Sequence, residues 1–320
     1  MRRCPLSYDA IEDGEGPYSP AGLRRLAPNL KGLEPLPFTS ATLVEEAAAR
    51  APNMSIGGVQ PKLSAVLRVS EGRFDPVDKA GRFILKPESP QYPEVPANED
   101  LTMRLAARAG LSVPAHGLVW TESGELCYVI RRFDRMGQSG RRHVEDFAQL
   151  IGQNRETKYE SSIEQVATAI ERFCTFPRVE HITLLRMVLV SFLTGNEDMH
   201  LKNFSLIVDA KGVVKLSPIY DMVNSSIVLR NPHEESALPL QGKKSRFKRA
   251  HFVDYLADEL LGLPAPVTNR VLAELEGAVP DWMALIDRSF LSGDKRSAYR
   301  ELVLERCRRV GLGLEGLGRY

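Results

Sequence analysis

Nine residues constrain this chain more than any others: Gly195-Asn196-Glu197-Asp198-Met199-His200-Leu201-Lys202-Asn203, seven of them polar or glycine. They stand between two segments that must be buried. Upstream, Ile182 to Leu193 is apolar apart from Thr183, Arg186 and Ser191. It is well short of the ~20 residues that span a bilayer, and so reads as a core helix. Downstream, Phe204 to Val208 and Val213 to Leu216 read as two strands joined across Asp209-Ala210-Lys211-Gly212, a hairpin. A polar loop wedged between a buried helix and a hairpin either caps the helix or carries chemistry.

The rest of the chain separates by periodicity. Leu63, Ala65, Leu67 and Val69 alternate as in a half-buried strand, Phe83 to Lys86 is a second strand stopped by Pro87, and Leu126 to Ile130 a third. Between them Asn98 to Ala109 reads as a helix, with Asn98 at its N-cap, Glu99 and Asp100 in its first turn and Gly110 at its end. A shorter helical patch covers Leu43 to Ala49. Met136 to Arg142 has linker composition, and beyond it the pattern turns helical: Val144 to Ile151, Ser162 to Phe173, Ile182 to Leu193, His251 to Leu261, Pro266 to Ala278, Trp282 to Ser289 and Lys295 to Val310. A strand-rich part over 1–137 and a mainly helical part over 138–320 predict a two-lobed α+β protein.

Spacing assigns chemistry to the loop. Asp198 and Asn203 are five apart, as are the Asp and Asn of the protein-kinase catalytic loop, where the Asp takes the acceptor hydroxyl's proton and the Asn ligates magnesium. An amide oxygen and a carboxylate suit that hard cation, and Asp221, beyond the hairpin, offers the carboxylate. Taken alone, Asp221 also fits a turn cap. Lys86 ends a strand and Glu99 follows thirteen residues later on a helix, the arrangement of the kinase lysine and its supporting glutamate. In Ser55-Ile56-Gly57-Gly58-Val59-Gln60-Pro61-Lys62, adjacent glycines let backbone N–H groups turn towards phosphates.

Composition excludes several alternatives. With 42 basic and 41 acidic side chains the formal charge is +1, which predicts no bulk attraction to nucleic acid or anionic membrane. Cys4, Cys127, Cys174 and Cys307 form no C-x-x-C pair, so reduced thiols in the cytoplasm are the simplest reading. The N-terminus lacks the apolar run of a signal peptide. One basic run, Lys243 to Arg249, reads either as a solvated face or as a docking patch for an acidic or nucleic-acid partner. Trp120 and Trp282 read as packing residues.

Six motifs occur in order: S-I-G-G-V-Q-P-K at 55–62, R-F-D-R at 132–135, E-D-F-A-Q at 145–149, K-Y-E at 158–160, G-N-x-D-x-H-x-K-N at 195–203 and P-I-Y-D at 218–221. Together they resemble the HipA-like serine/threonine kinases of bacterial toxin–antitoxin systems, over residues 50 to about 260. The resemblance implies a kinase-like fold, ATP and Mg2+ as cofactors, Asp198 as catalytic base, His200 ordering its loop, and Asn203 and Asp221 as metal ligands. It implies Lys86, supported by Glu99, on the ATP phosphates, with Ser55, Ile56, Gly57, Gly58 and Lys202 also at ATP, and Arg131 to Phe133 as the hinge against adenine. Ser55 matches the serine these kinases autophosphorylate to switch themselves off; as a residue of a glycine turn it has a plain structural reading too.

Two departures from longer members stand out. The hinge reads Arg131-Arg132-Phe133-Asp134-Arg135 where those members have E-R-F-D-R, and only about fifty residues precede the glycine loop. The opening Cys4 to Tyr8 and Tyr18 to Leu26 look like the short HipT-type branch, in which the missing N-terminal subdomain is a separate small protein (HipS-like), encoded beside a helix-turn-helix antitoxin (HipB-like) that binds operator DNA. The family's targets are aminoacyl-tRNA synthetases, tryptophanyl-tRNA synthetase for the short branch. Two other classes remain open on the residues alone: a small-molecule or lipid phosphotransferase, and a catalytically silent binding module.

Overall fold

In the computed structural model, which describes residues 2–12, 14–50, 61–137, 140–153, 157–228 and 234–313, the chain divides into two compact units. One comprises residues 1–101, 114–140 and 288–291, the other 102–113, 141–287 and 292–320. Residues 51–60, and with them Ser55, Ile56, Gly57 and Gly58, lie outside the described residues.

The first unit opens with strands β1 (Arg2–Arg3) and β2 (Ala10–Ile11) and helices α1 (Pro20–Leu26) and α2 (Ser40–Arg50). Ser19 caps α1, its hydroxyl accepting from Gly22 N–H, with Pro20 at the first helical position. Then follow β3 (Leu63–Arg68), β4 (Arg73–Pro76), β5 (Phe83–Lys86), helix α3 (Val95–Arg108), β6 (His116–Trp120) and β7 (Leu126–Arg131). These strands form one antiparallel sheet in the order β4-β3-β5-β7-β6. Leu63 pairs with Leu85, Leu85 with Val129, and Cys127 with Val119, so period-two alternation sends all five to one buried face, against Leu6, Leu23, Leu36 and Leu43. The same alternation puts Lys86, Tyr128 and His116 on the opposite face. α3 starts at Val95, three residues before the expected Asn98 cap, because Pro96 is pre-set for a first helical turn; Asn98 N–H already bonds back to Glu94.

The linker expected at Met136 to Arg142 holds β8 (Arg135–Met136) and β9 (Gly140–Arg141), which form a two-stranded sheet. The helix expected over Val144 to Ile151 is instead strand β10 (Val144–Asp146) and the single turn α4 (Phe147–Leu150). Val144 is drawn into a ladder with Ile207, and Asp146 starts the turn by accepting from Gln149 N–H while the Gln149 side chain accepts from Asp146 N–H.

In the second unit α5 (Ile163–Phe173) and α6 (Pro177–Leu193) follow, then β11 (Ser205–Val208) and β12 (Val214–Leu216), the expected hairpin, in a sheet of order β10-β11-β12. Next come a π-type helix (His251–Leu260), α7 (Ala265–Arg288) and α8 (Gly293–Val310). Two helices expected at 266–278 and 282–289 are one: Pro280 sits inside α7, and buried Ala278, Val279, Trp282 and Met283 hold it through the lost hydrogen bond. Trp282 Nε1 donates to Leu105 O at 3.0 Å. The basic run buries one residue, Phe247, while Lys243, Arg246, Lys248 and Arg249 stay exposed. Phe247 packs on Phe192 and Phe252 with centroids 6.0 and 5.6 Å apart, Lys244 meets Glu234, and Arg249 donates to Val310 O.

Candidate active site

α6 ends at Leu193, and Gly195 turns the chain out of it at φ 74°. A Cβ at Gly195 would stand 2.5 Å from the Asn224 side chain, so only glycine fits. Gly195→Ala is expected to cost at least about 2 kcal/mol in denaturant unfolding, from the left-handed backbone and the clash together; a loss under half that would show that the turn relaxes.

The loop that follows is tied by its own polar side chains. Asn196, buried, accepts Asp198 N–H on its Oδ1 at 3.2 Å. Glu197 N–H donates to Ser225, and the Glu197 carboxylate accepts from Ser226 and from buried Arg306 at 3.1 Å. Burial raises the Glu197 carboxyl above its usual value, with Ser226 and Arg306 opposing that shift. The Asp198 side chain is left 56% exposed. Across the loop Asn203 donates its amide nitrogen to Asp198 O at 2.8 Å, which assigns the amide oxygen to the other side. A single 3-10 turn, Leu201–Asn203, then delivers the chain to β11.

Neighbouring elements lock this loop in place. Lys202 Nζ meets the Asp146 carboxylate at 2.8 Å, so the E-D-F-A-Q motif supplies both a helix cap and an anchor for the loop. Tyr220 donates to Lys202 O at 2.8 Å and its hydroxyl lies 2.6 Å from Ser205 Oγ. The chain neighbour of Asp221 is thereby bonded to the chain neighbour of Asn203. Asp221 itself adopts φ 60°, a left-handed conformation that non-glycine residues keep only when the surroundings enforce it.

His200 is buried, and burial first, then the Lys158 charge, holds its imidazole below the usual value against the pull of Asp198 and Asp221. Its Nε2 lies 2.6 Å from Lys158 Nζ. Tyr159 donates its hydroxyl to Asp198 Oδ1 at 2.7 Å. Burial, then that hydrogen bond and the Asp198 charge, raises the phenol, so it stays a donor. An amide oxygen at Asn203 and a carboxylate at Asp221 are hard donors that fit magnesium, which keeps several waters and takes few protein ligands. Among the described residues no group of three or more His, Cys, Asp or Glu side chains forms a metal cluster.

In the first unit Lys86 Nζ lies 2.6 Å from Glu99 Oε1, with the side chains 5% and 0% exposed. Beside it His116 Nδ1 and Asp100 Oδ1 are 2.7 Å apart, also buried. Two neighbouring acids on α3 thus meet two bases on the same sheet face. Glu99 falls in the second turn of α3 rather than the first, since the helix starts at Val95. Arg131 ends β7, its backbone N–H bonded to Ala115 O, with an exposed side chain, and Phe133 lies two residues on. Within R-F-D-R, Arg132 grips Asp134 through Nε and Nη2 at 2.9 and 2.7 Å. Burial alone would raise the Asp134 carboxyl, but the Arg132 fork outweighs it and holds it below the usual carboxylate range.

Sequence reasoning assigned no role to Tyr159, Lys158, Tyr220, Asp146 or Arg306. The first four lie in motifs already visible in the chain. Arg306 follows Glu197 by 109 positions and carries no local signal.

A family model described as the HipA-like C-terminal domain matches residues 54–283. A protein of Haemophilus influenzae, named as a candidate kinase, is 35% identical over 241 residues, 71% of this chain and 69% of its own length. The serine/threonine-protein kinase toxin HipA of Shewanella oneidensis is 26% identical over 288 residues, 81% of this chain and 64% of that protein. A solved structure of the S. oneidensis MR-1 toxin–antitoxin system HipA, HipB and operator DNA matches with a TM-score of 0.65 at 22% identity, covering 87% of this chain and 73% of that one. The α+β, HipA-like kinase fold expected from the motifs is therefore the fold observed. Of the curated relatives it matches, the chain spans 69%, 54% and 47% of three. With the family match running through both sides of the Asp198 loop, the chain belongs to the HipA-like C-terminal domain family.

Proposed function

We propose that this chain is an ATP- and Mg2+-dependent serine/threonine protein kinase acting as the toxin of a bacterial toxin–antitoxin system. The observation that carries the reading is the closed loop. The Asn203 amide is pinned to the Asp198 backbone, while the Asp198 carboxylate stands exposed on a rigid support. Asp198 accepts the proton of the acceptor hydroxyl as its oxygen attacks. The Asn203 amide oxygen and the Asp221 carboxylate would hold magnesium, and Lys86, positioned by Glu99, would hold the nucleotide phosphates. Ser55, Ile56, Gly57 and Gly58 would cradle the phosphates by backbone N–H groups, Lys202 would reach ATP only by sharing its ammonium with Asp146, and Arg131 to Phe133 would meet adenine. When bound, Mg-ATP supplies the phosphoryl group and neutralises charge during its transfer.

The acceptor proposed is an aminoacyl-tRNA synthetase, tryptophanyl-tRNA synthetase in first place, whose phosphorylation arrests translation. Autophosphorylation at Ser55 would regulate it by placing a dianion where nucleotide phosphates bind. A HipB-like antitoxin, and through it operator DNA, is the partner supported by the S. oneidensis complex; a HipS-like small protein is proposed for the short branch. Cytoplasmic placement fits four free, buried cysteines, and no helix among the described residues is long and apolar enough to cross a membrane.

The test is mass spectrometry of the intact protein and its peptides after incubation with Mg-ATP, with and without EDTA. One phosphate, mapped to Ser55 and absent with EDTA, is expected. Phosphate elsewhere would remove the Ser55 switch. Failure to bind nucleotide at all would overturn the kinase reading in favour of a silent binding module, and turnover confined to metabolites would favour a small-molecule phosphotransferase.

A further inference from the structure

The K-Y-E segment is part of no element of the core, yet it grips the loop proposed for catalysis at four points. Tyr159 donates its hydroxyl to Asp198 Oδ1 at 2.7 Å. Its ring meets His200 edge-on, centroids 5.1 Å apart at 81°. Lys158 Nζ lies 2.6 Å from His200 Nε2 and 4.7 Å over the Tyr159 ring. Lys158 O accepts Leu201 N–H at 3.3 Å.

The geometry points to Lys158 and Tyr159 as a positioning pair for phosphoryl transfer, with Tyr159 fixing the Asp198 carboxylate and Lys158 fixing the His200 ring beneath it. This rests on the proposed role of Asp198. An ionised carboxylate has about four lone-pair sites, so one bond to Oδ1 orients the group and leaves Oδ2 for an acceptor hydroxyl. Without Tyr159 an Asp side chain 56% exposed would sample several rotamers. An ammonium can only donate, so Nε2 of His200 is the acceptor and its Nδ1 must carry the ring proton. Nδ1 is buried with no hydrogen-bond partner among the described residues, and Nε2 lies 4.0 Å from Asp198 Oδ1, so the 2.6 Å contact with Lys158 is the hydrogen bond that sets the ring's orientation. Tyr159 is itself 42% exposed, so its hydroxyl contributes little to stability; among the described residues its hydroxyl bonds to Asp198.

The test compares wild type with Tyr159→Phe, Lys158→Met, Lys158→Arg and, as control, Asp198→Asn, in full-length protein. The readouts are inorganic phosphate released from Mg-ATP, phosphate incorporated into the chain, and thermal melting. Tyr159→Phe is expected to lower kcat between about tenfold and a hundredfold, as loss of one charge-assisted hydrogen bond does, with KM for ATP within about twofold and unchanged melting. Lys158→Met should behave alike and Lys158→Arg should recover part of the loss. Wild-type or higher kcat in Tyr159→Phe, while Asp198→Asn is inactive, would overturn the pair alone; a higher value would mark Tyr159 as an obstruction. A parallel fall in melting temperature, or a defect confined to KM, would also overturn it. Undiminished turnover in Asp198→Asn would overturn the underlying assignment of Asp198 instead.

Discussion

Replacing Asp198 by asparagine is expected to lower phosphoryl transfer from Mg-ATP about a thousandfold, within the range that a positioned proton acceptor contributes. The substitution is unusually clean here. The bonds that shape the loop use the Asp198 backbone: its N–H goes to Asn196 Oδ1 and its carbonyl receives Asn203 Nδ2. An asparagine keeps both, and its amide oxygen still accepts from Tyr159. What it loses is basicity. Melting temperature and nucleotide affinity should therefore stay near wild type while single-turnover transfer collapses. Asn203→Ala is the contrasting case, because it removes a proposed metal ligand and the strut under Asp198 together, so it should lose turnover and loosen the loop. Transfer within about tenfold of wild type in Asp198→Asn would send the search for the base elsewhere.

That loop was legible because its composition conflicts with its place in the chain: polar residues between a buried helix and a hairpin have few roles. The Lys86–Glu99 pair was legible for a related reason, a lysine ending an apolar strand and an acid on the helix that follows, although that acid stands in the second turn and not the first. The errors have a common physical origin. Val144 to Ile151 has helical periodicity, but its first residues pair with β11, a partner about sixty positions away. The break expected between Ala278 and Trp282 is absent because buried neighbours on both sides of Pro280 outweigh one missing hydrogen bond. The start of α3 was misjudged because Pro96 and Asn98 are both plausible first-turn residues, and only the Asn98 N–H to Glu94 O bond decides between them. Side-chain ties across the fold, such as Arg306 to Glu197, leave no periodic trace and emerge only from coordinates.

The buried pair Lys86–Glu99 separates stability from function. With side chains 5% and 0% exposed, removing either partner takes the counter-charge of this ion pair from a buried ionised group beside the Asp100–His116 pair. Lys86→Met and Glu99→Leu should each cost about 3–5 kcal/mol in denaturant unfolding. The double variant should cost less than the sum, since two apolar chains replace two desolvated charges and neither ion is left buried without the other. Catalysis should show no such rescue. If Glu99 serves to present the Lys86 ammonium to nucleotide phosphates, the double variant lacks that ammonium and stays inactive, with ATP binding as weak as in Lys86→Met. Near-additive stability losses would mean that the pair is not electrostatically coupled. Activity regained in the stable double variant would mean that the two residues hold the sheet and α3 together and nothing more.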